Sequence, residues 1–520
     1  MKRITLPITF FTIFVTASSL QAQTTLDNAF LISRDLNTGT ARFKAMGGVN
    51  TSLGGDITSI SGNPAGLGFY NQSDFSISVN YLNNANKSNY FGQQTNLNKG
   101  QFGLENLGIV FYTPTNNHPD YGWQNFNVGI SLDKKNNYFD HLSYAGINAD
   151  NSLVHNLTDV MFEDTPFAND FKSSYLVENF KGSANDFFPT VLEADPKNQQ
   201  LDLINKGSKY NTHISFGGNY SNKFYIGASF GFVSYDYQSS NRLTEIGWTK
   251  TAAEIKPDND ESSFTKPGSK ANGYTDINYE LNDYIDKKVK GTGINLGLGM
   301  IYKPTWDWNI GVNITTPTWT TVQGESWLET VADYYKDDQS TTKLHPSYNS
   351  QIGGGTYDYA IISPWKTAVG LTKFFNRGLL SADVEYINYA SIKYKETSSN
   401  PDLGFENLMQ DQIADTYKGT FNVRIGAEVL FTERLTARAG FNYLGSAYKD
   451  DDSFDHVSSL GLGYIISKSI YVDLAAMQYK KLNYQHTTYP INQDRWNSPE
   501  PYADIKNSRT NIVLTVGTKF

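Results

Sequence analysis

Strict alternation of apolar and polar residues recurs along this chain and constrains its fold more than any other feature. Phe75, Ile77, Val79 and Tyr81 alternate with Ser76, Ser78 and Asn80, which puts apolar groups on one face of a strand and small polar groups on the other. The pattern returns at Phe126 to Leu132, Phe224 to Phe232, Ile294 to Tyr302, Trp308 to Ile314, Leu380 to Tyr386, Phe421 to Phe431 and Leu435 to Tyr443. Ten such residues at about 3.3 Å each, tilted near 45°, climb roughly 23 Å, the height of the apolar band of an outer-membrane barrel. The opposite face carries Asn309, Asp383, Glu385, Asn422, Arg424 and Arg438 together with many glycines. Such a face suits a wet lumen, and equally the solvated side of a sandwich.

Connection lengths favour the barrel. Ser221-Asn222-Lys223, Asn376-Arg377-Gly378, Thr432-Glu433-Arg434 and Ser467-Lys468-Ser469 read as tight turns, whereas the connections between them run to tens of residues. Short turns at one end and long loops at the other mark outer-membrane barrels. Counting Trp123 to Asp133 and Tyr138 to Asn148 as one strand, continuous through Lys134 to Asn137, gives fourteen. An even count puts both termini and every tight turn on the periplasmic side.

Composition removes the competitors. With 34 Tyr, 31 Phe and 8 Trp the chain is not disordered, and with no cysteine it has no disulfide frame, thiolate metal site or thiol nucleophile. After residue 22 no stretch reaches the roughly 18 apolar residues a spanning helix requires. The net charge of -9, without a basic block, argues against nucleic acid as a partner. Met1-Lys2-Arg3, the apolar run from Ile4 to Ala17 and the small residue Ala22 make a secretory signal over residues 1–22. The seven histidines show no ligand spacing, so no metal and no cofactor is expected. No Ser, His and acid set stands out, so the chain is not read as an enzyme. Gly291, Gly293 and Gly297 approach a dinucleotide fingerprint, but they lie in an alternating strand with no helix to receive a pyrophosphate.

Residues 23–72 do not alternate. They hold Met46-Gly47-Gly48, Leu53-Gly54-Gly55-Asp56 and Asn63-Pro64-Ala65-Gly66-Leu67, a compact glycine-rich segment suited to plugging the wide lumen of a barrel over residues 73–520. Asp56 seven positions before Asn63, with Ser59 between and Asn63 to Leu67 closing the segment, resembles the hatch of the FadL/TodX family of outer-membrane transporters of hydrophobic compounds. Ile512, Leu514, Val516, Thr518 and the terminal Phe520 similarly resemble the signal read by the barrel-assembly machinery. The resemblance implies a fourteen-strand barrel, a hatch in its lumen, and passive uptake of long-chain fatty acids or other hydrophobic compounds across a bacterial outer membrane. Ala41 to Gly48 is more similar to a branch from other envelopes, whose members also serve as subunits of larger outer-membrane assemblies. That is the alternative function, with envelope proteins as partners instead of an apolar molecule.

The candidate site residues follow from this reading. Pro64 fixes its own backbone and restricts Asn63, while Gly62 and Gly66 permit bending. The hatch and gating set is therefore Asp56, Gly62, Asn63, Pro64, Ala65 and Gly66. Leu153, Leu157 and Val160, and again Trp327, Val331 and Tyr334, stand at helical spacing in loops, where they form either an apolar capture groove or a packed lid. Arg424, Glu428 and Arg438 on the lumenal face either meet a ligand head group or pair with one another. Exit runs sideways into the membrane or onward past the hatch.

Overall fold

The computed structural model describes residues 26–520 apart from positions 27, 37, 117–120, 164, 193–194 and 398–400, with backbone alone at 162–163, 165–166 and 352–354. The expected signal segment lies outside the described residues. Among them, fourteen antiparallel strands close into a barrel. They are β1 (Asp74–Tyr90), β2 (Gln93–Phe111), β3 (Trp123–Asn137 and Asp140–Asn148), β4 (Lys197–Tyr220), β5 (Phe224–Trp248), β6 (Asn278–Thr305) and β7 (Trp308–Thr315 and Trp319–Tyr335). The circuit continues through β8 (Tyr348–Ile362 and Lys366–Phe375), β9 (Gly378–Asn388 and Lys393–Glu396), β10 (Gly419–Leu430), β11 (Leu435–Gly445), β12 (Phe454–Ile465), β13 (Ile470–Tyr479 and Leu482–Thr487) and β14 (Tyr502–Lys519). β14 pairs with β1 from Lys519 opposite Asp74 to Ala503 opposite Tyr90, which closes the wall. Pro317 and Pro364 interrupt β7 and β8 at the same height, where each lacks the N–H that a continuous ladder needs.

The strands alternate because their two faces meet different media. On β5, Phe224, Ile226 and Phe232 point outward and are about half exposed, while Gly227, Ser229 and Gly231 point inward. Phe75, Val79, Leu298, Ile425 and Leu460 continue that apolar band around the circumference. A belt of this size open to water would aggregate, and lipid is the solvent that accepts it. No helix among the described residues is long and apolar enough to cross a membrane, so the crossing is made by strands. The protein is a multi-pass barrel of the bacterial outer membrane.

Above the band the polarity of each face reverses. On β5 the outward positions become Ser234, Asp236 and Gln238, and the inward ones Val233, Tyr235 and Tyr237. The strands therefore rise out of the bilayer with their apolar side turned in. There they build a cap with the helices Leu153–Glu163 and Thr165–Phe171 and the short hairpin Val177–Asn179 and Phe187–Pro189. Glu245 at the centre of the cap is fully buried; it accepts hydrogen bonds from Leu153 N at 2.8 Å, Gln199 Nε2 at 2.5 Å and the Tyr279 hydroxyl at 2.7 Å.

The end distribution differs from the sequence expectation in one respect. The turns at 221–223, 376–377, 431–434 and 466–469 share the end that holds Asp74 and Lys519. Another two-residue connection, Phe91-Gly92, sits at the opposite, loop end, with φ of 45° and 83° at its two residues. Only the pairing of β1 with β2, which extends above the bilayer, shows on which side that turn lies.

Candidate functional site: the lumen

Residues 28–36 and 38–70 lie inside the barrel and are held there by the wall. Thr40 opens the helix Ala41–Ala45 by accepting from Phe43 N at 3.2 Å, and Asp56 caps the turn Ile57–Ser59 by accepting from Thr58 N at 2.9 Å while also receiving the Thr40 hydroxyl. Asn63 caps the turn Pro64–Phe69 through its Oδ1, which accepts from Ala65 N at 3.1 Å. Its Nδ2 donates to the Thr51 carbonyl at 2.6 Å and to the Val312 carbonyl of β7 at 3.2 Å. Pro64 occupies the first position of that turn, where its missing N–H costs nothing. Gly62 and Gly66 have ordinary negative φ, and a side chain on either would strike Asn50 or Ser59. Close packing, and no special backbone angle, is what requires glycine at both positions.

The wall answers with glycines of its own. A Cβ at Gly217 or Gly227 would strike Pro64, at Gly299 Asn63, at Gly311 the Thr51 carbonyl, and at Gly426 or Gly440 the backbone of Met46 and Gly47. Strands on opposite sides of the lumen thus touch the inner segment backbone to backbone.

Charge locks the same contact. Arg42 Nε lies 2.9 Å from Glu428 of β10, which also accepts from Arg438 Nε of β11 at 2.7 Å, and Arg438 continues to Asp473 of β13. Lys44 pairs with Glu105 of β2, both almost completely buried. Higher up, Asp35 bridges Lys209 of β4, at 2.6 Å, and Lys366 of β8. Burial works against the Asp35 charge, yet the two lysines outweigh it and hold the carboxyl well below the ordinary range. Arg424 makes its ion pair with Glu385 at 2.5 Å. Arg424, Glu428 and Arg438 thus face the lumen and are spent on protein partners.

Between the glycine belt and the cap lies an apolar chamber, made by the inverted upper faces of the strands. Tyr235, Val289, Val322, Tyr359, Ile361 and Ile387 line it, and the helix Leu403–Thr416 closes it with Met409 and Ile413. The chain's own residues 28–33 fill it. The Phe30 ring stacks on Tyr417 at 5.1 Å and meets Tyr389 edge-on at 5.2 Å.

The wall is not continuous around this chamber. β2 pairs with β3 only from Asn106 opposite Asp133 down to Phe111 opposite Val128, although β2 follows β1 up to Gln93 and β3 follows β4 up to Asn148. Each edge carries a bulge at the parting, at Glu105 on β2 and at Lys135 on β3, and Glu105 and the adjoining Lys134 are both buried. Above it β3 bends inside the barrel, where Asp140 accepts from Asn84 and Asn86 on the inner face of β1 at 2.5 and 3.0 Å. A hydrogen bond between Asn137 Nδ2 and Gln101 Oε1, 3.3 Å long and exposed, spans the opening. Phe102, at the height of Tyr81 on the outer face, stands beside it 80% exposed.

No family model and no curated protein matches the chain. Among solved structures it is similar to a Pseudomonas aeruginosa FadL homologue, 13% identical, with a TM-score of 0.50 over 94% of this chain and 99% of that one. The fold is that of a FadL-type barrel. Two toluene transporters, Pseudomonas putida TodX and Ralstonia pickettii TbuX, are each 16% identical, with a TM-score of 0.48; the alignments cover 94% and 93% of this chain and 99% of each of theirs.

Within this FadL-type barrel the first set of loop residues is helical, as its spacing suggested, and the second is not. Leu153 and Leu157 are buried in the cap and Val160 packs against it, so this helix forms a lid and no open groove. Trp327, Val331 and Tyr334 are not helical: they belong to β7, with Trp327 and Val331 outward and Tyr334 inward in the cap. Their spacing imitates a helix because β7 here runs above the bilayer, where its outer face no longer needs to be apolar. Phe520 ends the wall, its N–H donating to the Ser73 carbonyl at 3.0 Å. Sequence reading missed Phe30, Glu105 and Lys134; a charged residue breaking alternation between Leu104 and Leu107 was the available trace of the bulge at Glu105.

Proposed function

We propose that the barrel carries hydrophobic compounds, long-chain fatty acids among the candidates, passively from outside into the outer leaflet, with residues 41–70 acting as a fixed plug and residues 28–33 yielding the chamber to the cargo. The observation that carries this reading is the parting of β2 from β3 beside an apolar chamber. The two exits differ in cost. Passing the plug means separating buried ion pairs such as Lys44 with Glu105, at roughly 3 to 5 kcal/mol for each charge left unpaired. Passing the parting breaks no backbone ladder, only the side-chain hydrogen bonds of Asn137 to Gln101 and of the Tyr210 hydroxyl to the Leu104 carbonyl, about 1 kcal/mol each. Sideways exit is therefore favoured over movement of the Asn63-Pro64-Ala65 turn. Moving an acyl chain from water into the chamber gains about 0.8 kcal/mol per methylene, so capture needs no energy source.

Radiolabelled oleate and toluene test the reading in cells lacking the protein and in the same cells supplied with it. The expected result is protein-dependent uptake of at least one of them, unchanged by an uncoupler. Absence of any protein-dependent uptake, with recovery of the barrel in a stoichiometric envelope assembly, would instead support the subunit reading.

A further inference from the structure

A second space lies beside the chain's inner segment, adjoining the chamber that residues 28–33 fill and sharing Phe30 and Tyr389 with it. It is a shaft of about 130 Å³ between that segment and β10 to β13. Gly47 and Gly48 form its floor, and its mouth opens at the connection 446–453, which carries none of the helices that roof the rest of the loop end. Leu444, Val457, Met477 and Tyr479 make one wall apolar.

Two properties of the lining define what fits. First, every charged side chain there already has a protein partner. Arg34 lies 3.6 Å from Asp455, Asp35 is held by Lys209 and Lys366, Lys44 by Glu105, and Asp451 accepts from Ser446 and Ser453 hydroxyls at 2.8 and 2.9 Å. An anionic ligand would lose its hydration and find no free cation, since Arg34 and Lys44 are both paired. Second, Asn442 lines the shaft, is 5% exposed, and its Oδ1 is buried without a hydrogen-bond partner. A buried acceptor left unmade costs about 1 to 3 kcal/mol, and a ligand donor would satisfy it. The volume is close to the roughly 150 Å³ of a dry cavity that admits benzene.

We propose that the shaft is a binding site, reached directly from outside, for an uncharged ring-sized molecule bearing one hydroxyl, whose ring lies against Val457 and Met477 and whose hydroxyl donates to Asn442. This rests on the reading of the barrel as a carrier of apolar molecules and narrows it from hydrophobic compounds in general to phenol-like ones at this site.

The test uses the full chain in lipid nanodiscs, with 4-bromophenol, bromobenzene and 4-bromobenzoate as probes in equilibrium dialysis against empty nanodiscs. Saturable binding of 4-bromophenol is expected, with 4-bromobenzoate weaker by about tenfold or more. Asn442→Leu is expected to weaken 4-bromophenol about fivefold and to leave bromobenzene unchanged. Val457→Trp, which fills the shaft, is expected to abolish saturable binding of both, with heat-modifiable mobility confirming a folded barrel. Equal binding of 4-bromobenzoate, indifference of 4-bromophenol to Asn442→Leu, or binding that survives Val457→Trp would each overturn the assignment. If the wild type binds no probe saturably while protein-dependent uptake of oleate or toluene persists, the shaft proposal fails and the carrier reading stands; if uptake is absent too, both fail.

Discussion

Replacing Ile425 by arginine is expected to cost roughly 2 to 4 kcal/mol and to leave most of the chain unassembled, because this side chain sits midway along β10 on the lipid face, 46% exposed to that medium. Heat-modifiable gel mobility and membrane fractionation read the result directly: the parent runs as a compact band from the membrane fraction, and Ile425→Arg loses that band. A parent protein found in the soluble fraction would refute the membrane assignment itself. The neighbouring Arg424 is a different case from the one its lumenal facing suggests. It would be freely replaceable if it lined open water, but it is 6% exposed and neutralises Glu385. Loss of its charge leaves a buried carboxylate with Asn422 as its hydrogen-bond donor, so Arg424→Ala is expected to weaken the wall without redirecting the chain from the membrane.

The second large effect concerns the plug. Gly440→Leu places a side chain where Met46 and Gly47 now touch β11, and Gly311→Leu does the same against Thr51 from β7 across the lumen. Neither changes the lipid face, so the barrel is expected to assemble. The inner segment, pressed off its seat, opens a lumen that a fourteen-strand wall makes wide enough for water and small ions. Planar-bilayer recordings are expected to show conductance well above the parent's for both variants, and deletion of residues 24–69 sets the upper bound. Parental conductance in both variants and in the deletion would show that residues 28–70 do not seal the barrel.

How far the sequence disclosed this architecture depends on height in the membrane. Between the turns and the outer interface one medium lies outside and another inside, so period-two alternation is strong, and strands such as Phe224 to Phe232 or Phe421 to Phe431 are legible residue by residue. Above the interface the contrast inverts. Val233, Tyr235 and Tyr237 point inward into an apolar chamber while Ser234 and Asp236 meet water, and a reader tracking one apolar face loses the strand where it changes sides. That is why Trp327, Val331 and Tyr334 suggested a helix. The inward glycines were visible as a class, but their partners were not, since contact of Gly440 with Gly47 joins residues almost four hundred positions apart and depends on closure of the barrel. The parting of β2 from β3 was hidden for the same reason: Glu105 and Lys135 mark the bulges locally, and only the pairing register shows that the two edges separate above them.

Sideways uptake requires molecules to leave through that parting. The chain has no cysteine, so Gln101→Cys with Asn137→Cys introduces the only two thiols, at positions whose native side chains already meet across the gap. A short, reversible bis-methanethiosulfonate cross-linker should tie β2 to β3 without altering heat-modifiable mobility. Uptake of the labelled cargo should then fall about tenfold or more, and treatment with reductant should restore it. Uptake that continues at the uncross-linked rate with the bridge formed in most of the molecules would contradict sideways exit and return the path to the plug.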